Sequence, residues 1–301
     1  MTAGLFILKK SLNISIKMTT NTDTYQTRIT PTWCPGCGNY SILTAIKKSL
    51  ADQNLSKDEI LLVYDVGCSG NMADFLNPFG IHALHGRIIP VAIGAHLANH
   101  QFPILAIGGD GGVYGEGVEH FIEACRGNFN ITVIVHNNTL YSLTTGQRSP
   151  TAEKGKKTKS TPFGVIEVPF NPLKTAVLYE AGFVARGYAL DTEFLAKLIT
   201  AGIKHSGFSL IDILQPCLTF NKQMTPDWYK QRVYQLQSFE GLSADQALKL
   251  VDQDPDKLAT GVFYRSSRPA YHHQLSQLKE QPLLKQSINS INISQLIDTF
   301  R

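Results

Sequence analysis

The chain has 301 residues, 43% of them hydrophobic, enough for one large domain or a domain with an appendage. Its formal charge of +4 is too mild to point to nucleic acid, although a local basic patch would suit an acidic protein partner. No apolar run approaches the roughly 20 residues of a membrane helix, and "GLFILKK" places its lysines after the apolar run, the reverse of a secretory signal; a cytoplasmic protein with no membrane contact is expected.

Taken in chain order, residues 1–17 differ in character from the rest, and Met18 opens "MTTNTDTYQT", a plausible start of its own. Residues 1–25 are expected to be a loose or mis-started arm. "TWCPGCGN" (32–39) carries Cys34 and Cys37 at C-x-x-C spacing, and no second such pair exists. "EILLVYDVG" (59–67), "FPILAIGGD" (102–110), "NITVIVHNN" (130–138), "FVARGYAL" (183–190) and "FSLIDILQP" (208–216) read as buried strands. Between them, 87–100, 116–128, 173–182 and 192–207 have helical spacing. "SPTAEKGKKTKSTPFG" (149–164) reads as a loop whose lysines 154, 156, 157 and 159 are solvated, the other reading being a patch for an acidic partner. Beyond 220 the pattern weakens: 227–236 looks helical, 260–264 a strand, and the last 30 residues a peripheral arm. The expectation is an α/β fold with a doubly wound, mostly parallel sheet over 26–220 and an irregular extension over 221–301.

Ligands of such sheets bind at the carboxyl ends of the strands. There stand "GCSG", "GGDGG" and "NNTLYS". Glycines let the backbone approach a phosphate. The carboxylate of Asp110 would repel a bare diphosphate, which makes sense if Mg²⁺ lies between them. Asn138 lies 28 residues beyond Asp110, at the next strand end. Its amide oxygen and the Leu140 carbonyl complete a magnesium set. A tight turn with a surface Asp is the plain alternative. The cysteines leave more open. Cys34 and Cys37 suit half a metal site, a redox dithiol or neither, and Cys68 and Cys217 lie at strand ends that can converge with them. Four thiolates serve a [4Fe–4S] cluster or zinc. The dithiol reading is weakened because no strand precedes "CPGC". Cys125, on the apolar side of a helix, reads as an ordinary buried cysteine.

The run "GDGGVYGEGVEHFIEACRGNFNITVIVHNNTLYSLTTGQRSPT" resembles the thiamine diphosphate fingerprint. With "TWCPGCGN", "VGCSG", "HALHGR", "QPCLTFN" and "GVFY" in this order, residues 28–265 resemble the β subunit of the 2-oxoacid:ferredoxin oxidoreductases. The resemblance implies a thiamine diphosphate-binding fold and oxidative decarboxylation of a 2-oxoacid to acyl-CoA and CO₂. It implies coenzyme A as co-substrate and electrons passed through a [4Fe–4S] cluster, held by Cys34, Cys37, Cys68 and Cys217, to ferredoxin or flavodoxin. Gly109, Gly111 and Gly112 would line the diphosphate, and Cys68, Ser69 and Asn71 would approach the cofactor. Tyr141, Ser142, Leu143 and Thr144 would belong to a loop over it. His85 is a candidate cofactor or substrate contact, with a structural role as the alternative, while His82 and His136 read as structural. The glutamate that activates thiamine is expected on an α (or fused γα) partner, so the chain alone should be inactive. The sequence departs from many relatives at Asn71, at Gly112 and at Thr145, where a lysine is usual. Its absence leaves pyruvate and 2-oxoglutarate both open. The competing readings are a cluster-free thiamine decarboxylase half and a zinc-stapled nucleotide-binding module.

Overall fold

The computed structural model describes residues 21–252, 256–279, 281–287 and 292–301. The candidate start at Met18 and most of the expected arm lie outside these residues. The described end of that arm is anchored: Tyr25 is fully buried and its hydroxyl donates to the Leu55 carbonyl at 2.5 Å.

The elements in order are α1 (Gly38–Asp52), β1 (Leu61–Tyr64), β2 (Phe79–His82), α2 (Ile88–Ala98), β3 (Ile104–Gly109), α3 (Val118–Gly127) and β4 (Thr132–Asn137). A two-stranded ribbon follows, β5 (Leu140–Tyr141) with β6 (Gln147–Arg148), then α4 (Pro172–Leu178), β7 (Phe183–Tyr188), α5 (Thr192–Lys204) and β8 (Ser209–Leu214). The remainder holds α6 (Pro226–Lys230), β9 (Val233–Gln235), α7 (Ala244–Val251), β10 (Leu258–Arg265) and α8 (Ser294–Asp298). Eight strands form one sheet in the order β2-β1-β3-β4-β8-β7-β10-β9. From β2 to β7 every pairing is parallel, and β10 alone runs antiparallel to its neighbour β7.

Both faces of the sheet are covered, which is why the strands carry unbroken apolar runs. On one face α1 and α5 lay Ile42, Ile46, Leu195 and Leu198 on Leu62, Leu105, Ile134 and Ile211. On the other, α2, α3 and α4 bring Ile88, Phe121, Cys125 and Leu173 against Val63, Ala106, Val133 and Leu210. Cys125 is fully buried, as expected. The helix α3 stops where Asn128 turns left-handed (φ 52°), a conformation asparagine tolerates well.

Three expectations need correcting. The helix read over 227–236 ends at Lys230, because Val233–Gln235 pairs with β10 as the outer strand β9. Lys156 is not solvated like its neighbours: it is half-buried, and its ammonium donates to Thr139 Oγ1 at 2.6 Å. The start of the last 30 residues is not peripheral. There His272 and Leu278 are buried, and His272 Nδ1 meets His96 Nε2 of α2 at 3.1 Å.

Burial, reinforced by the neighbouring imidazoles, holds His96 down to about 3 and His272 down to about 4. An unfolded histidine titrates near 6.5. The unfolded chain therefore binds more protons below that value, so stability is level above about pH 6.5 and falls as pH drops from there towards about 4. Urea unfolding midpoints between pH 7.5 and 4.5 should show this loss, and His96→Leu should flatten it.

Candidate functional site

Because β1, β3, β4 and β8 run the same way, their carboxyl ends deliver Asp65, Asp110, Asn138 and Gln215 to one edge of the sheet. Asp65 is wholly buried. Its Oδ1 accepts the Gly86 N–H at 2.8 Å and lies 3.3 Å from His85 Nδ1. The other ring nitrogen of His85 is 3.4 Å from Glu116, and the Tyr141 hydroxyl donates to that glutamate at 3.2 Å. The bond to Asp65 raises the His85 pKa against the effect of burial. A Cβ on Gly112 would sit 1.7 Å from Asp65 Oδ2, and one on Gly111 would sit 2.4 Å from the Tyr141 ring. These glycines are thus required by the protein's own neighbours as well as by any phosphate.

Asp110 is buried at the end of β3. The hydroxyls of Ser149 and Thr151 both donate to its Oδ2, at 2.5 and 2.6 Å. Burial pushes its pKa up to about 6 in spite of these bonds. The two asparagines that follow β4 separate in role. Asn137 turns inward: its amide donates to Asp212 at 3.1 Å, and its oxygen accepts from Thr151 at 2.9 Å. Asn138 lines the cavity and folds its own turn, its Oδ1 accepting the Leu140 N–H at 3.0 Å and the Ser142 hydroxyl at 3.1 Å. Thr139 between them is left-handed, at φ 64°. This turn starts the β5–β6 ribbon, so the expected covering loop is a short hairpin.

One cavity holds all but one of the residues expected at the cofactor. It is lined by Cys68, Ser69, His85, Gly109 to Gly112, Asn138 and the run Leu140 to Thr144. The exception is Asn71, which lines the adjoining void. That second void gathers Cys34, Cys37, Cys68 and Cys217. All four are free thiols. "CPGC" opens α1, with Cys37 as its N-cap. Trp33 Nε1 donates to the Cys68 carbonyl at 2.7 Å and pins this segment to the end of β1. Burial and the neighbouring thiols push Cys37 up to about 11 and Cys68 up to about 12. Ionising them together therefore calls for a cationic occupant. As placed, no three His, Cys, Asp or Glu side chains among the described residues are drawn tightly enough to hold a metal ion. Five residues, Cys68, Asn138, Ser142, Leu143 and Gln215, line both voids and form the wall between them.

Sequence reasoning missed Asp65, Ser149, Thr151, Asn39 and Gln215. Asp65 and Gln215 had a signal, since each is a polar residue that directly follows an apolar strand. Ser149 and Thr151 had none, because they belong to a loop whose path only the fold supplies.

Comparison with known proteins sets the class first. Residues 65–213 match the family model of the C-terminal, thiamine pyrophosphate-binding domain of thiamine pyrophosphate enzymes. Residues 217–280 match that of the C-terminal part of the pyruvate ferredoxin oxidoreductase β subunit. The β subunit of 2-oxoacid:ferredoxin oxidoreductase 1 from Aeropyrum pernix is 38% identical over 266 residues, 84% of this chain and 84% of that one. Its counterpart from Saccharolobus solfataricus is 44% identical over 233 residues, 77% of this chain and 76% of the other. A solved 2-oxoglutarate:ferredoxin oxidoreductase from Magnetococcus marinus, with 2-oxoglutarate, coenzyme A and succinyl-CoA bound, superposes with a TM-score of 0.86. At 30% identity the match covers 94% of this chain and 96% of that one. The chain belongs to the family of 2-oxoacid:ferredoxin oxidoreductase β subunits.

The clash distance at Gly112 makes a direct test. Gly112→Ala should lower unfolding stability by about 1–3 kcal/mol, the usual cost of overpacking, as read from urea titration. A variant as stable as the parent would show that the Asp65 contact yields freely.

Proposed function

We propose that this chain is the cofactor-bearing half of an enzyme that oxidatively decarboxylates a 2-oxoacid to acyl-CoA and CO₂. It works in complex with an α (or fused γα) subunit in the cytoplasm and hands electrons to ferredoxin or flavodoxin. One observation carries the reading: a cavity with a phosphate and cation donor set shares a wall with a void lined by four cysteines.

The residues present fit the groups. Asp110, the Asn138 amide and the Leu140 carbonyl are the proposed Mg²⁺ donors, all of them hard oxygen ligands. A divalent cation would keep the Asp110 carboxyl ionised against its burial. Gly109, Gly111 and Gly112 receive the diphosphate. Cys34, Cys37, Cys68 and Cys217 hold a [4Fe–4S] cluster, for which four thiolates are the usual set. Bound thiamine diphosphate supplies the electron sink that decarboxylation of a 2-oxoacid needs. The chain's own residues bind and orient it. Ser149 and Thr151 fix the Asp110 carboxylate, while Ser69 and Tyr141 to Thr144 close the cavity against water. His85, held between Asp65 and Glu116, presents a readily protonated ring at the wall. The activating glutamate comes from the partner, whose contact surface we assign to the 221–301 extension together with the edge of the sheet.

Anaerobic co-purification with the α partner tests the reading. Cys34→Ala should lose iron and keep thiamine diphosphate, whereas Asp110→Ala should do the reverse. Ser149→Ala, one bond removed from the metal, should weaken Mg²⁺-dependent cofactor binding about 10- to 100-fold. The chain alone, fully reconstituted, should show no turnover. A colourless complex with stoichiometric zinc would sink the cluster, and turnover by the lone chain would sink the need for a partner.

A further inference from the structure

Between the two voids lies a chain of side-chain hydrogen bonds whose directions are set by backbone groups at its ends. The Leu140 N–H can only donate, and it donates to Asn138 Oδ1. The Asn138 amide nitrogen therefore faces Gln215, to whose Oε1 it donates at 3.2 Å. That orients Gln215 so that its Nε2 donates to Asn39 Oδ1 at 2.7 Å. At the far end the Cys68 carbonyl can only accept, and it takes the Asn39 amide N–H at 3.3 Å. Both constraints make Asn39 Oδ1 an acceptor. His136 Nδ1, 2.7 Å from that oxygen, must then carry the ring proton.

Nε2 is left as a bare lone pair. It is buried and has no hydrogen-bond partner in the protein, and the ring lines the Asp110 cavity. Burial holds the ring neutral, with its pKa down to about 3. A buried polar atom with no partner is costly unless a ligand or water satisfies it. The cavity wall here offers the ligand an acceptor, so the facing group has to be a donor. Diphosphate oxygens and the oxygens of a 2-oxoacid anion are acceptors. Thiamine diphosphate, ionised, has one N–H donor, the exocyclic amine of its aminopyrimidine.

We propose that His136 is a cofactor-binding residue, its Nε2 accepting a hydrogen bond from the exocyclic amine of bound thiamine diphosphate. The inference rests on the cofactor reading above. In this arrangement the Asn39–Gln215–Asn138 network holds the imidazole in the tautomer that can accept.

Two substitutions separate this role from a structural one. Asparagine can mimic Nδ1 of histidine, so His136→Asn preserves the Asn39 bond and loses the reach of Nε2. Glutamine can mimic Nε2, so His136→Gln preserves the reach and loses the Asn39 bond. In the α–β complex, titrated with thiamine diphosphate and Mg²⁺ by calorimetry, His136→Asn should bind roughly 3- to 10-fold more weakly, the yield of one hydrogen bond. His136→Gln should stay within about 3-fold of the parent. An analogue lacking the amine should bind the parent more weakly than the true cofactor, by the same factor, and His136→Asn should not distinguish the two. ¹⁵N-histidine spectra should show the Nε2 resonance of His136 shifting on saturation. Equal cofactor affinity of His136→Asn and the parent, with an unmoved Nε2 resonance, would overturn the assignment alone. A parent complex that takes up no thiamine diphosphate would overturn the cofactor reading and this assignment with it.

Discussion

Four strands that point the same way leave their final residues side by side, and those residues cannot all be apolar. Each strand end must shed its backbone pairing and turn, which concentrates polar groups where the sheet stops. Here that edge collects two buried carboxylates, Asp65 and Asp110, within a few residues of each other in the β1 and β3 registers. Each is satisfied by a different device. Asp65 takes a backbone N–H and an imidazole, whereas Asp110 takes two hydroxyls from a loop about 40 residues later in the chain. A carboxylate buried without such partners would cost several kcal/mol. The Ser149–Thr151 segment is therefore tied to the sheet as firmly as any strand, although it has no regular structure.

The third strand end solves a different problem. Asn137 and Asn138 are adjacent and chemically identical, yet alternation along the strand sends them to opposite sides. One locks Asp212 and Thr151 within the protein, and the other shapes the turn that carries the ribbon over the cavity. A pair of asparagines is thus one structural residue and one cavity residue.

The sequence made the architecture readable wherever period and burial agree. β3, β4, β7 and β8 are continuous apolar runs, and each lies within three residues of its expected bounds. Elements that depend on a neighbour were not readable. The strand β2 exposes all four of its side chains, so it has no apolar signature and exists because β1 offers it an edge. β9 is three residues long and owes its conformation to β10. The helix α1 lacks a start signal, because Cys37 stands where Ser, Thr, Asp or Asn would mark an N-cap. Within the site, the chemistry-bearing types Cys, Asp and His stood out, while their supports did not. Ser149, Thr151, Gln215 and Asn39 are common residues whose importance comes from distance in space, which one-dimensional spacing cannot encode. His136 shows the opposite error: its buried position suggests a structural role, but only one of its two nitrogens has structural work.

The wall of five residues between the two voids has a further consequence. Because Cys68, Asn138, Ser142, Leu143 and Gln215 each face both sides, neither compartment can be reshaped in isolation. Substitutions on one side and the other should combine non-additively, since residues in contact seldom behave as independent sites. Divergence in this chain is accordingly channelled outward, to the rim and the ribbon tip. There a residue such as Thr145 can change without disturbing the partition.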